Sequence, residues 1–175
     1  MSRPDPARRN IELKAVDPDP LASLERCRRL GATDAGVIRQ RDTYFNVTRG
    51  GLKFREETPG RPHIIQFERA DQLEQRESSY RIIAVEDGAV ARAALEAALG
   101  LRGEVEKMRH LFLWRQVRIH LDEVAGLGTF IEFEAVAPPE SDLAEEHQLV
   151  ARLREVFSVT NDRLCATGYA SQLGI

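Results

Sequence analysis

The spacing of charge constrains this chain more than any other feature. Five stretches place charged side chains two residues apart with apolar residues between them. They are Glu12/Lys14 around Leu13, Lys53/Arg55 around Phe54, Lys107/Arg109 around Met108, Arg118/His120/Asp122 around Ile119 and Leu121, and Glu132/Glu134 around Phe133. Successive side chains of a β-strand point to opposite faces, so each set occupies one face of a strand. A half-buried sheet with a solvated polar face is the ordinary outcome of such alternation. Like charges repel, however, and a passive surface intersperses both signs. Three of the sets are like-signed, which suits a ligand that is itself a polyanion carrying a metal. Magnesium takes oxygen ligands, typically one or two carboxylates plus substrate phosphates. Lysine and arginine would neutralise the remaining phosphate charge. Were the sheet to close into a barrel of about eight strands, the charged face would become a lumen with room for one small ligand.

The rest of the chain supplies the elements for such a sheet. Asn10–Ala15 alternates as a strand, and Asp17-Pro18-Asp19-Pro20 breaks it. Leu21, Leu24, Cys27 and Leu30 recur at helical spacing up to Gly31. Strands are expected over Val37–Val47 and Leu52–Glu57, joined as a hairpin through Gly50-Gly51, then over His63–Arg69 and Ser79–Val85. Asp87 caps an alanine-rich helix running to Leu99, with Gly100 beyond its end. Glu104–Leu121 reads as two strands, Glu123–Gly128 as a turn and Thr129–Val136 as a last strand. A helix then starts at Ser141 or Asp142 and reaches about Phe157. Runs of strands separated by single helices predict an α+β domain with mostly antiparallel strands, not alternating βαβ units.

Composition narrows the function. The 175 residues suit one domain. A net charge of -3 argues against a nucleic-acid partner, although a cationic pocket can hide within an acidic average. No apolar run approaches the length of a membrane helix, and the leader MSRPDPARRN has no signal-peptide core, so a cytoplasmic protein without membrane partners is expected. Cys27 and Cys165 match no metal or redox spacing and read as free thiols. The four histidines form no HxxxH pair, so a zinc site is not expected. Of 25 basic residues only Lys14, Lys53 and Lys107 are lysine, and each falls on one of the charged strands. A compact ammonium on a flexible stem can contact phosphate where a planar guanidinium does not fit.

The order NIELK (10–14), QRDTYF (40–45), LKFRE (52–56), VEKMR (105–109) and RIHLDEVAGLGTFIEFE (118–134) resembles the CYTH, or triphosphate-tunnel, superfamily from end to end. The last stretch looks most like the class IV adenylyl cyclase branch. The resemblance implies a single CYTH-like domain over 1–175. It implies a closed antiparallel β-barrel of about eight strands with packed helices, binding a triphosphate with Mg²⁺ or Mn²⁺. Carried over by motif, Glu12, Glu132 and Glu134 are metal ligands. Lys14, Lys53, Arg55, Arg69, Lys107, Arg109 and Arg118 contact substrate, and Glu12, Lys14, Lys107 and Asp122 are the catalytic set. Tyr44 and Tyr80 sit in family-like contexts, where packing roles are the alternative, and Tyr169 resembles a closing aromatic plug; His120, on the face of Arg118 and Asp122, is either a lumen residue or a passive strand histidine. Asn10 stands where the family has its first glutamate, and Arg69 stands in for a usual lysine. The implied reaction converts ATP to cyclic AMP and pyrophosphate, and class IV resemblance points to a homodimer. Two alternatives share the site: a triphosphatase for inorganic tripolyphosphate, a nucleoside triphosphate or thiamine triphosphate, and a non-catalytic polyphosphate-binding module.

Overall fold

The computed structural model describes residues 7–175; the first part of the polar leader, residues 1–6, lies outside them. Eight strands carry the alternation seen in the sequence. In β1 (Arg8–Val16), Ile11, Leu13 and Ala15 turn to one face and Asn10, Glu12 and Lys14 to the other, and all six are buried. Asp19 caps α1 (Pro20–Arg29) by accepting a hydrogen bond from the Ala22 amide at 3.0 Å, with Pro20 at the first helical position.

β2 spans Thr33–Phe45 and so starts four residues before the expected Val37. Gly36, at φ +91°, takes up a register shift that lets the early residues keep pairing with β6 (Leu101–Trp114). β3 (Gly51–Thr58) and β4 (His63–Arg69) follow expectation closely. β5 (Arg76–Ala84) starts three residues earlier than Ser79, because Arg76 pairs opposite Glu12 of β1. Asp87 accepts from the Val90 amide to cap α2 (Gly88–Leu99), as its position in the sequence suggested.

The stretch expected as two strands divides at Arg115-Gln116, where Arg115 adopts φ +52°. β7 (Val117–Val124) then runs on into residues expected as a turn, since its pairing with β8 (Gly128–Ala137) continues to Val124–Gly128. α3 (Ala144–Val156) begins after Ser141 and Asp142, whose side chains accept from the Leu143 and Ala144 amides. These two residues therefore form the turn that leads into the helix, and Leu143, at φ +70°, is its N-cap.

The strands close in the order β1-β5-β4-β3-β2-β6-β7-β8, every neighbour antiparallel, with β1 pairing both β5 and β8. This is the expected α+β closed barrel of eight strands with helices packed around it. Its polarity is inside-out. Ile11, Leu13, Ile119, Ile131 and Phe133 point outward and pack against Leu149, Val150, Leu153 and Phe157 from α3 and the chain after it, and Cys27 of α1 joins the same core. Each such side chain contributes about 1.5–3 kcal/mol when fully buried. That external core is what lets the interior remain polar. A second cluster of Tyr44, Val105, Val124 and Phe130 gathers where β6 begins and β7 ends. There α4 (Tyr169–Gln172) lays Tyr169 and Ala170 across that end of the barrel. Both cysteines are free, and burial pushes the Cys27 thiol up to about 12.

Candidate active site in the barrel lumen

The interior of the barrel is a cavity of about 370 Å³. Strict alternation directs into it the residues that the sequence placed on polar faces. Glu12, Lys14, Lys53, Arg55, Arg69, Lys107, Arg109, Arg118, Glu132 and Glu134 all line it. Asp122, also expected there, stands in the wall behind them. It accepts two hydrogen bonds from Arg109, at 2.7 and 2.6 Å, and one from the Tyr169 hydroxyl at 2.8 Å, and Lys107 Nζ lies 3.8 Å away. Those cations hold its carboxyl below the usual carboxylate range against the opposing effect of burial. It therefore stands behind Arg109 and Lys107 as their counter-charge, not on the cavity surface.

Cross-strand register decides which charges meet. β1 and β8 place Lys14 opposite Glu132 and Glu12 opposite Glu134, while β7 and β8 place His120 opposite Glu132 and Arg118 opposite Glu134. Glu132 is surrounded by donors: Lys14 Nζ at 2.7 Å, Arg109 at 2.9 Å and His120 Nδ1 at 3.1 Å. Glu134 is looser, with Arg118 at 3.5 Å and His120 Nε2 at 4.0 Å. Among the described residues, His120, Glu132 and Glu134 form a group whose ligand atoms lie within 4.8 Å of one another. Glu12 is not part of it. Its Oε1 accepts from Arg76 at 2.7 Å and from Arg69 at 3.2 Å.

The deep lumen is cation-rich. Lys53 and Arg55 converge on Asp42, Arg55 bidentately at 2.6 and 2.7 Å and Lys53 at 2.9 Å. Lys14 Nζ lies 3.8 Å above the Tyr169 ring, a cation–π contact at the plugged end. Burial, followed by the neighbouring Arg55, brings the Lys53 ammonium down to about 8 despite Asp42. Burial and Arg109 likewise hold Lys107 well below the usual lysine range. For both lysines burial is the larger cause and the neighbouring guanidinium adds to it. Toward the other end the lining turns apolar, with Ile38, Ile82 and Leu111 near the mouth. The buried Asn10 Oδ1, Gln40 Oε1 and Tyr80 hydroxyl have no hydrogen-bond partner among the described residues.

Two charged groups, Asp42 and Arg76, carry no signal in the sequence, and His120 takes its place only through register. Asp42 lay inside a recognised motif but carried no paired charge of its own. Arg76 sat in a charged run that read as a connection, yet it is one of the most buried side chains of the chain. His120 shares its strand face with Arg118 and Asp122, and it joins the carboxylates through register, not through spacing in sequence. For Asp42 and Arg76 no local pattern carried the signal; only the pairing of β2 with β3 and of β1 with β5 does.

The CYTH domain family model matches residues 8–163. The chain belongs to this family. Its barrel resembles the PH1012 protein of Pyrococcus horikoshii OT3 at a TM-score of 0.82 and 21% identity, covering 93% of this chain and 98% of that one. A candidate adenylate cyclase from Vibrio parahaemolyticus superposes at 0.75 and 18% identity, covering 95% and 98%. A candidate adenylyl cyclase from Hippeastrum with a dominant triphosphatase activity superposes at 0.63 and 12%, covering 92% and 91%. At these identities the likeness establishes the fold. None of the curated proteins matches the chain. Among the described residues of this CYTH protein, no helix is long and apolar enough to cross a membrane.

Proposed function

We propose that the lumen is the active site of a divalent-metal-assisted enzyme acting on an organic triphosphate, with cyclisation of ATP to cyclic AMP and pyrophosphate as its reaction. One observation carries this reading: Lys14, Lys53, Arg55, Arg69, Lys107 and Arg109 share a closed cavity with the His120–Glu132–Glu134 group. Two carboxylates beside an imidazole that has one unbonded ring nitrogen are a donor set that can hold a divalent cation such as Mn²⁺, and the carboxylates alone would serve Mg²⁺. A bound dication would neutralise phosphate charge and lower the pKa of a coordinated oxygen nucleophile.

The chain's own residues do the rest. Lys14, Lys53, Arg55, Lys107 and Arg109 grip the two terminal phosphates at the plugged end and spread the charge that develops on the leaving pyrophosphate. Asp42 and Asp122 keep the guanidinium groups aimed, so that little reorganisation is needed on binding. Ile38, Ile82 and Leu111 receive the organic portion at the mouth. The ribose 3′ hydroxyl then attacks the α-phosphorus in line, its proton passing to solvent water, and the bond to the bridging oxygen breaks so that pyrophosphate leaves.

A second reading keeps the site and changes the nucleophile to water, giving a triphosphatase. The Hippeastrum protein, with the same fold and a dominant triphosphatase activity, supports it. Incubation with ATP and Mn²⁺ or Mg²⁺ separates the two. Cyclic AMP with pyrophosphate is the expected result, and orthophosphate alone would replace cyclisation by hydrolysis. Binding without turnover, together with turnover gained in Asn10→Glu, would show that the neutral amide at the buried Asn10 has disabled the chemistry.

A further inference from the structure

The metal-binding group is not three equivalent ligands. Glu132 has both oxygens engaged: Oε1 takes Lys14 at 2.7 Å, while Oε2 takes Arg109 at 2.9 Å and His120 Nδ1 at 3.1 Å. An ionised carboxylate only accepts, so the hydrogen bond places the ring proton of His120 on Nδ1. The other nitrogen, Nε2, is then a bare lone pair. His120 lines the cavity and is only 3% exposed, and Nε2 has no hydrogen-bond partner among the described residues. It stands 4.0 Å from Glu134 Oε2. One ion with bonds of about 2.1 Å to nitrogen and oxygen can bridge such a span. Among the described residues Glu134 accepts a side-chain hydrogen bond from Arg118 alone, at 3.5 Å, and the Arg118 side chain is partly exposed.

We infer that the divalent ion of this site binds His120 Nε2 and the Glu134 carboxylate directly, while Glu132 acts from behind by fixing the imidazole's orientation and tautomer. This is the carboxylate–histidine–metal arrangement, in which the outer carboxylate makes the ring a better ligand. The mixed nitrogen and oxygen donor set favours first-row transition dications, with Co²⁺ held more tightly than Mn²⁺, over Mg²⁺, which demands oxygen and dehydrates reluctantly. The inference rests on the reading of the lumen as a metal–triphosphate site and assigns that site's ligands and its metal preference.

Pulsed EPR of the full chain with Mn²⁺ and inorganic tripolyphosphate tests it, because tripolyphosphate brings no nitrogen of its own. Directly bound imidazole gives nitrogen hyperfine coupling in the wild-type spectrum, and the coupling is absent in His120→Ala. In parallel, Mn²⁺ affinity falls about 10- to 100-fold in His120→Ala, while Mg²⁺ affinity changes much less. Glu132→Gln retains the nitrogen coupling, whereas Glu134→Gln loses Mn²⁺ binding. Mn²⁺ bound with no nitrogen coupling in the wild type would overturn the inference and leave the triphosphate reading standing. No Mn²⁺ binding even with tripolyphosphate present would overturn both. The wild-type spectrum decides the point even if a variant fails to fold.

Discussion

Lys14 and Glu132 sit opposite each other on β1 and β8 and make a 2.7 Å ion pair inside the barrel, with both side chains almost fully buried. Arg109 reaches the same carboxylate at 2.9 Å, so Glu132 is the counter-charge for two buried cations. Removing one partner of a buried network costs more than the pair contributes, because the remaining charges stay desolvated and uncompensated.

That asymmetry separates the two carboxylates of β8. Glu132→Gln leaves Lys14 without its counter-charge and Arg109 with Asp122 alone, and lowers stability by about 3 kcal/mol, which for a chain of this size is roughly 6–12 °C in the melting midpoint. A bound polyanion would supply the missing negative charge, so tripolyphosphate restores much of that loss. Glu134→Gln, with its longer contacts, keeps the wild-type midpoint and loses turnover by about 100-fold. Thermal melts with and without tripolyphosphate, beside rates with Mn²⁺ and ATP, check both. Equal melting behaviour in the two variants would sink the distinction.

Arg76 carries a structural prediction of a different kind. Its guanidinium donates to Glu12 Oε1 at 2.7 Å and to the Ala166 carbonyl, tying β5 and β1 to the segment that leads into α4. Arg76→Met keeps the volume of the stem but leaves Glu12 with Arg69 alone. We expect a loss of about 3 kcal/mol, measured by chemical denaturation. Arg76→Lys recovers only part of it, since an ammonium cannot serve both acceptors in the same planar fork. Full recovery by lysine would show that charge alone is what matters at this position.

The legibility of this fold divides along the same lines. Lumen residues on β1, β3, β6, β7 and β8 were readable because alternation is a local property: Lys53 and Arg55 share a face whatever they pair with. Closure of the barrel was not local. It depends on β1 pairing with both β5 and β8, contacts more than sixty residues apart that no spacing encodes, and only resemblance to the family supplied it. Asp42 and Arg76 show the cost. Neither belongs to one of the charged sets that share a strand face in the sequence, and each becomes a partner only once register places it beside Arg55 or Glu12. Strand ends differ for a related reason: β2 begins at Thr33, and Gly36, at a positive φ, lets pairing extend back beyond Val37, where the expected strand starts.

Gly168 sets the position of Arg69. A Cβ added there would collide with the Arg69 guanidinium, although the backbone at φ −74° accepts any residue. The collision is with the far end of a flexible side chain, so Gly168→Ala should fold normally and turn Arg69 away from Glu12. We expect stability to change by less than about 1 kcal/mol, as for substitutions that avoid the core. Tripolyphosphate affinity should drop about tenfold, the scale of losing one charge-assisted contact. Arg69→Ala should weaken binding by a similar factor, and Gly168→Ala made in that background should add nothing further. Additive losses would show that Gly168 acts through something other than Arg69.

Lys53 makes proton uptake the signature of ligand binding. In the free protein burial and Arg55 bring its ammonium to about 8, against an ordinary lysine value of 10.5. Lys107 is lowered in the same direction by burial and Arg109. A triphosphate among these groups favours their charged forms and raises both values again. Below about 8, Lys53 is already protonated before the ligand arrives, so it takes up nothing. Between about 8 and 10.5 it is largely neutral when free and charged when bound, so binding draws a proton from solvent and affinity falls as pH rises through this window. Calorimetry in two buffers of different ionisation enthalpy reads the uptake directly. The apparent binding enthalpy should differ between the buffers inside the window, and Lys53→Met should shrink the difference. An enthalpy independent of buffer would mean that these lysines are already charged in the free barrel.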